Sequence, residues 1–132
     1  MRFLKRSNPG NLRKRLGSRG ERHAAKWLRK QGYRILHRNF TLGDDEADLI
    51  ALDPDGKTIV IIEVKTRSDD RIPPEEAINH TKRFRMARLA SRLAKTRDYQ
   101  GRSMRLDVIA IHWPEGGDPD LRHYPNAFES PI

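Results

Sequence analysis

The segment from Glu46 to Lys65 constrains the fold more than any other part of the chain. Two strand-like arms, Glu46-Ala47-Asp48-Leu49-Ile50-Ala51-Leu52 and Thr58-Ile59-Val60-Ile61-Ile62-Glu63-Val64-Lys65, flank Asp53-Pro54-Asp55-Gly56-Lys57. That pattern predicts a β-hairpin: Pro presets φ, Asp caps the turn, and Gly accepts positive φ. With the turn centred near Asp55-Gly56, Leu52 faces Ile59, Ile50 faces Ile61 and Asp48 faces Glu63. Directly opposed residues have Cβ atoms roughly 4.5–5.5 Å apart. Side chains alternate along a strand, which puts Lys65 on the same side as Glu63. Two carboxylates and an ammonium therefore converge at the end of an apolar ribbon. Apolar residues fill both faces of that ribbon, so its strands are expected at the centre of a sheet covered on both sides.

Such a cluster is costly unless it is used. Adjacent carboxylates repel, and each raises the pKa of the other. A hard divalent cation, Mg²⁺ or Mn²⁺, resolves the conflict by binding to both Asp48 and Glu63. Lys65 then stands where it can orient a water or stabilise charge developing at a phosphorus centre. The plain alternative is an ordinary cross-strand ion pair between Asp48 and Lys65, since a lone Glu-x-Lys is a weak motif.

Charge points to a polyanionic partner. The 132-residue chain carries a formal net charge of +9 and a pI near 10.3, the balance of a nucleic-acid binder. The distribution is more telling. Met1 to Arg38 holds 13 Lys/Arg against the single acid Glu21, Asn39 to Asp70 holds 9 Asp/Glu against 3 Lys/Arg, and Arg71 to Arg105 is basic again, 10 to 3. An acidic centre between two basic regions suits cations that grip phosphates and carboxylates that hold metal. A ribosome-associated or general RNA-binding protein would need the basic regions alone. The chain has no cysteine, which removes disulfides, thiol nucleophiles and Cys-type zinc sites and fits a reducing cytoplasm. No apolar h-region follows the basic N-terminus, and no run approaches the roughly 18 apolar residues of a membrane span. A cytoplasmic protein without membrane attachment is expected.

Residues 1–16, basic and containing Asn8-Pro9-Gly10, read as a flexible arm, and residues 17–132 as one domain. A helix is expected from Ser18 to Gln31, ending at Gly32. Ser18 suits an N-cap, with Glu21 as its capping-box partner. Glu21 also shares the inward face with Ala24, Ala25 and Leu28 at helical spacing, so capping and a site role both fit it. Trp27 reads as core or boundary packing. Tyr33 to Phe40 suits a first strand. A long helix is expected from Pro74 to Thr96, with Met86, Leu89, Ala90 and Leu93 buried. Lys82 extends that stripe, which suits either reaching the site or snorkelling past the core edge. Arg105 to Ile111 suits another strand, with Asp107 near its start in no evident role, and Leu121 to Tyr124 a short edge strand. The five histidines lack H-x-x-x-H spacing, which argues against zinc, and there is no phosphate-binding glycine loop or nucleophile elbow.

Taken in order, these segments resemble the PD-(D/E)XK nuclease superfamily in its Holliday-junction-resolvase-like branch, and within it the YraN-like family of small bacterial proteins. The residues that carry the resemblance are Gly20-Glu21, Ala24-Ala25 and Leu28, Gly32 to Leu36 with Arg38-Asn39, Glu46 to Ala51, Ile62 to Arg67, Lys82 with Arg85, and Arg105 to Ile111. The resemblance implies an α/β fold with a central mixed β-sheet flanked by helices, a restriction-endonuclease-like core. It implies that Asp48 and Glu63 bind the metal together with the backbone carbonyl of Val64. Lys65 would position or activate the attacking water, Glu21 would support the site, and Lys82 would contact the scissile phosphate. One departure stands out: the family's usual Gly-Glu-Ile-Asp is here Asp45-Glu46-Ala47-Asp48, which adds acids beside the site.

The expected function is Mg²⁺- or Mn²⁺-dependent hydrolysis of DNA phosphodiester bonds, with branched DNA a candidate substrate and a homodimer suggested by analogy with junction resolvases. The alternative is a nucleic-acid-binding accessory protein that keeps the nuclease fold without cutting; an RNA-directed enzyme is a third class.

Overall fold

The computed structural model describes residues 9–69 and 80–127. Helix α1 (Pro9–Lys30) leads into strands β1 (Arg34–Leu42), β2 (Asp45–Leu52) and β3 (Ile59–Arg67), followed by helix α2 (His80–Leu93) and strands β4 (Met104–His112) and β5 (Asp120–Tyr124). The strands form one sheet in the order β1-β2-β3-β4-β5. Strands β3 and β4 pair in parallel; the other pairs are antiparallel. The parallel step needs a crossover, and α2 lies in that connection. The expected α/β fold with a central mixed sheet is what forms.

Each helix covers one face. Ala24, Ala25 and Leu28 of α1 pack on Leu49, Ala51, Val60, Ile62, Val64, Ile109 and Ile111. Met86, Leu89, Ala90 and Leu93 of α2 pack on Ala47, Ile50, Ile59, Ile61 and Leu106. The continuous apolar run of β3 follows from this double cover, because a strand buried on both sides has no polar face to alternate. Trp27 is partly buried against the α1 cluster, the packing role its sequence position suggests.

The hairpin turn has its expected chemistry. Asp55 Oδ1 accepts hydrogen bonds from the Lys57 and Thr58 amides at 2.7 and 2.9 Å, which hold its carboxyl down at about 2. Gly56 takes φ 72°. The register runs Leu52↔Ile59 and Ile50↔Ile61 as anticipated, but the pairing ends at Leu49↔Ile62. Ala47 also joins the α2 cluster while Leu49 and Ala51 join the α1 cluster. The strict alternation assumed from sequence therefore breaks at Asp48.

The first helix starts at Pro9, nine residues before Ser18. Ser18 is thus inside α1, and the capping box with Glu21 does not form. Pro favours the first turn of a helix, since its φ is already helical and its missing N–H would be unsatisfied there. Residues 9–16 of the expected basic arm are accordingly helical, and residues 1–8 lie outside the described residues. The helix ends as expected: Tyr33 N–H donates to Leu28 O at 3.0 Å, Gly32 N–H to Arg29 O at 3.1 Å, and Gly32 has φ 95°, a Schellman cap. Of the expected helix from Pro74 to Thr96, α2 supplies His80–Leu93; residues 74–79 are outside the described set. It stops at Leu93, three residues earlier than anticipated, because Lys95 and Thr96 turn back with short-range amide bonds to Arg92 and Leu93. No described helix is long and apolar enough to cross a membrane.

Candidate active site

The site lies where the β2 and β3 pairing comes apart. Asp48 Oδ2 accepts a hydrogen bond from Val64 N–H at 2.8 Å, so a side chain takes over where the backbone pairing stops. Glu63, only 4 % exposed, meets Lys82 Nζ of α2 at 3.0 Å. Lys82 thus reaches the site rather than snorkelling away. Glu21 enters from α1 and is bonded to both Asp48 and the Asn39 side chain. These residues, with Gly17, Val64, Lys65, Thr66 and Arg67, line one cavity of about 350 Å³. All five side chains singled out from sequence, Glu21, Asp48, Glu63, Lys65 and Lys82, therefore share it.

Their protonation explains how three acids coexist. Burial, then the negative charge of Asp48, pushes Glu63 up to about 8. Burial and Asp48 together push Glu21 up to about 7. Asp48 is also raised, by burial first, against the pull of the Val64 amide and Lys82. Glu63 and Glu21 each share a hydrogen bond with Asp48 that favours their protonated form. A bound cation would relieve the same repulsion. On the cationic side, burial and then Arg67 lower Lys65. Burial would lower Lys82 too, but Glu63 and Asp48 outweigh it and raise it. The ammonium that engages a carboxylate here belongs to Lys82, so a simple Asp48–Lys65 ion pair does not organise the cluster.

The donor set fits a hard divalent cation. Asp48 and Glu63 offer carboxylate oxygens in the same cavity. The acids form a chain centred on Asp48, not a closed cage: among the described residues, no three His, Cys, Asp or Glu side chains are grouped to hold a metal by themselves. Two carboxylates completed by a backbone carbonyl, that of Val64, remain compatible with this arrangement.

Asp45 is taken out of the site. It is 1 % exposed and lies against α2, where Arg88 Nε donates to its Oδ2 at 2.9 Å and Arg92 Nη1 approaches at 3.4 Å. The Arg88 hydrogen bonds hold its carboxyl low against the opposing effect of burial. Asp45 thus fastens β2 to α2. Arg88 and Arg92 lie off the apolar stripe of Met86, Leu89, Ala90 and Leu93, and nothing in their spacing marks them as partners of Asp45.

Two further groups have roles that the sequence does not announce. Asn39 lies in β1 with φ 50°, between the pairs Arg38↔Leu49 and Phe40↔Ala47, and its side chain bonds Glu21 while Arg38 adds positive charge. Asn tolerates the left-handed region, and the Arg38-Asn39 pair among the resemblance segments was the available signal. Asp107, fully buried, anchors a second network under α1. It accepts from Arg105 Nε at 2.8 Å and from the Asn126 amide at 2.9 Å, and His123 Nε2 is 2.8 Å away. Arg105 continues to Asp53 at 2.7 Å and to the Tyr33 hydroxyl at 2.8 Å. Burial alone would raise Asp107, but His123, Arg105 and the Asn126 amide outweigh it and hold it low. This network ties β4, β5 and the hairpin turn together.

Fold and site define an α/β protein whose core is consistent with that of a nuclease. Comparison with known proteins then gives the family. The model for the uncharacterised protein family UPF0102 matches residues 20–111, so the chain belongs to that family, the YraN-like one. A UPF0102 protein of Pelobacter propionicus is 40 % identical over 114 residues, covering 86 % of this chain and 81 % of the relative. That of Geobacter metallireducens is 42 % identical over 118 residues, covering 88 % and 93 %. That of Moorella thermoacetica is 43 % identical over 100 residues, covering 75 % and 82 %. The matched span contains every site side chain named above.

Proposed function

We propose that the protein is a metal-dependent DNA endonuclease. The observation that carries this reading is the convergence of Asp48, Glu63, Lys65, Glu21 and Lys82 in one cavity. In this proposal Asp48, Glu63 and the Val64 carbonyl hold Mg²⁺ or Mn²⁺. When bound, the ion polarises the phosphate and lowers the pKa of a water. Lys65, its own pKa lowered by burial, orients the attacking water within the cavity. Lys82 is released from Glu63 to meet the scissile phosphate, and Glu21 accepts or relays a proton at Asp48. Asn39 and Arg38 position Glu21. The many arginines of α1 and α2 supply phosphate contacts that are sequence-independent and salt-sensitive.

A labelled panel of single-stranded, duplex, flap and four-way-junction DNA, incubated with Mg²⁺, Mn²⁺ or EDTA, tests the proposal. Cutting by the wild type with metal, lost in Asp48→Ala, Glu63→Ala and Lys65→Ala, is expected. Activity that survives in all three variants would place the chemistry elsewhere. A homodimer is part of the proposal for branched substrates, where symmetric cuts need two sites; sedimentation with and without a junction reads it.

A second reading has its own observation. The Lys82–Glu63 pair and the Val64 amide on Asp48 also suit carboxylates satisfied by the protein itself, in a nucleic-acid-binding protein that does not cut. Binding without cleavage on every substrate and metal would favour it.

A further inference from the structure

Trp113 follows β4 directly, and its amide donates to Arg67 O at 2.7 Å. This ties it to the last residue of β3, two positions beyond Lys65. The ring is partly buried against the α1 cluster. On its outer side the Arg19 guanidinium lies 4.2 Å from the ring centroid, and the His23 ring stands 5.3 Å away, tilted by 56°. A groove of about 550 Å³ runs between Arg15 and Arg19 on α1 and Ser68 and Trp113 opposite, with Glu115 the one acid among the described residues along it. A second hollow of about 230 Å³ beside the same ring is walled by Arg19, Arg22, His23 and Lys26. The groove opens beside the active cavity. Leu16 and Ser68 line the groove, and their chain neighbours Gly17 and Arg67 line the cavity.

Cations alone suffice to hold a duplex, whose bases are stacked face to face and leave no ring face free for a side chain. An indole fixed among those cations adds something only when a base has a free face to stack on it. We propose that this groove binds an unpaired stretch of the DNA strand next to the cleavage point, with one base stacked on Trp113 and the adjoining phosphates held by Arg15, Arg19, Arg22 and Lys26. In the free protein Arg19 occupies the ring as a cation–π partner. An arriving base replaces one π partner with another and frees the guanidinium for a phosphate. Since Trp113 is bonded to Arg67 and β residues rise about 3.3 Å each, the stacked base sits only a nucleotide or two from the bond beside Lys65. The preferred substrates are therefore flaps, gaps, branches or single strands, not continuous duplex. The inference rests on the nuclease reading for the cleavage point and sharpens its substrate class.

The test is made without catalysis, in EDTA and in a Lys65→Ala background. Trp27→Phe leaves Trp113 as the sole tryptophan, since the chain has two. Its emission is titrated with a single strand, a flap, a blunt duplex and a strand bearing abasic sites, while anisotropy of the labelled DNA reports binding separately. Saturable quenching by the single strand and the flap is expected, with little from the duplex or the abasic strand. Trp113→Ala should weaken single-strand binding about tenfold or more and leave duplex binding nearly unchanged. Trp113→Phe, which keeps the packing, should retain most of the affinity and guards against misfolding. Arg19→Glu, on the surface, should weaken binding severalfold and make the salt slope shallower by roughly 0.7 for each phosphate the side chain no longer neutralises. Single strand bound at saturation without a change in emission would overturn the proposal, as would equal affinity changes for strand and duplex in Trp113→Ala. Either result leaves the nuclease reading intact. Quenching as expected, combined with no cleavage once Lys65 is restored and metal added, would instead remove the nuclease reading and keep the groove.

Discussion

Glu63 is the residue on which the site turns. Its folded pKa of about 8 lies well above its ordinary 4.5, so the folded state keeps a proton that the unfolded chain releases. Stability of the metal-free protein must then fall as pH rises from about 4.5 to about 8, and Glu21, raised to about 7, adds to the same trend. Glu63→Gln carries a neutral group at every pH. It should raise Tm near pH 8 by about 4 °C, roughly 1 kcal/mol, and change little at pH 5. The same substitution should abolish metal-dependent cutting, a trade of function for stability. Thermal melts of wild type and variant at both pH values check this; a variant less stable at pH 8 would refute the strained-acid account. A divalent cation bound as proposed at Asp48 and Glu63 would have to displace a proton from them. Mn²⁺ should therefore raise the wild-type Tm more at pH 8 than at pH 6, and not at all in Asp48→Asn.

At the scale of elements, two contacts set where the site residues stand. Gly20 of α1 lies so close to β3 that a Cβ there would collide with Thr66 Oγ1. Gly20→Ala should push α1 away from the sheet, cost about 1–3 kcal/mol and move Glu21 off Asp48. Thr66→Ala should recover much of that stability. A double-mutant cycle by chemical denaturation reads the coupling, and purely additive effects would argue that the close approach is unimportant. On the other face, Arg88 and Arg92 hold the buried Asp45 and thereby seat α2, the helix that carries Lys82. Removing one partner of a buried pair leaves a charge uncompensated, at a cost of about 3–5 kcal/mol when fully buried. Arg88 is 38 % exposed and Arg92 remains nearby, so Arg88→Ala should destabilise the protein by less than that, and Asp45→Gly should add little in the Arg88→Ala background.

For the whole molecule, the net charge of +9 would govern the proposed encounter with DNA. If four to six of the basic side chains of α1 and α2 touch phosphates, log K should fall with log salt at a slope of roughly −4 to −5 on duplex. Anisotropy between 50 and 200 mM salt measures it, and a slope near zero would separate this protein from the nucleic-acid binders its charge suggests. Fold class and the order of strands along the chain could both be read from the residues. The hairpin's turn chemistry and its two-sided apolar arms required a central, doubly covered sheet. The pairing of carboxylates with Lys65, extended by the family resemblance, named five of the side chains that line the cavity. Those signals are local in sequence: turn residues, apolar period and short spacings.

What the sequence could not supply depends on neighbours brought in from far along the chain. The left-handed Asn39 against Glu21, the seating of Asp45 by Arg88 and the Asp107 network all join segments well separated in sequence. The break in alternation at Asp48 belongs with them: a strand taken alone predicts strict period two, but the Val64 amide offers Asp48 a hydrogen bond that only the folded sheet presents. The sequence determined which groups the site contains, because carboxylates, lysines and apolar arms are properties of residues and their spacing. The tertiary structure decided how those groups share protons and partners, because burial and through-space charge exist only once the chain has folded around them.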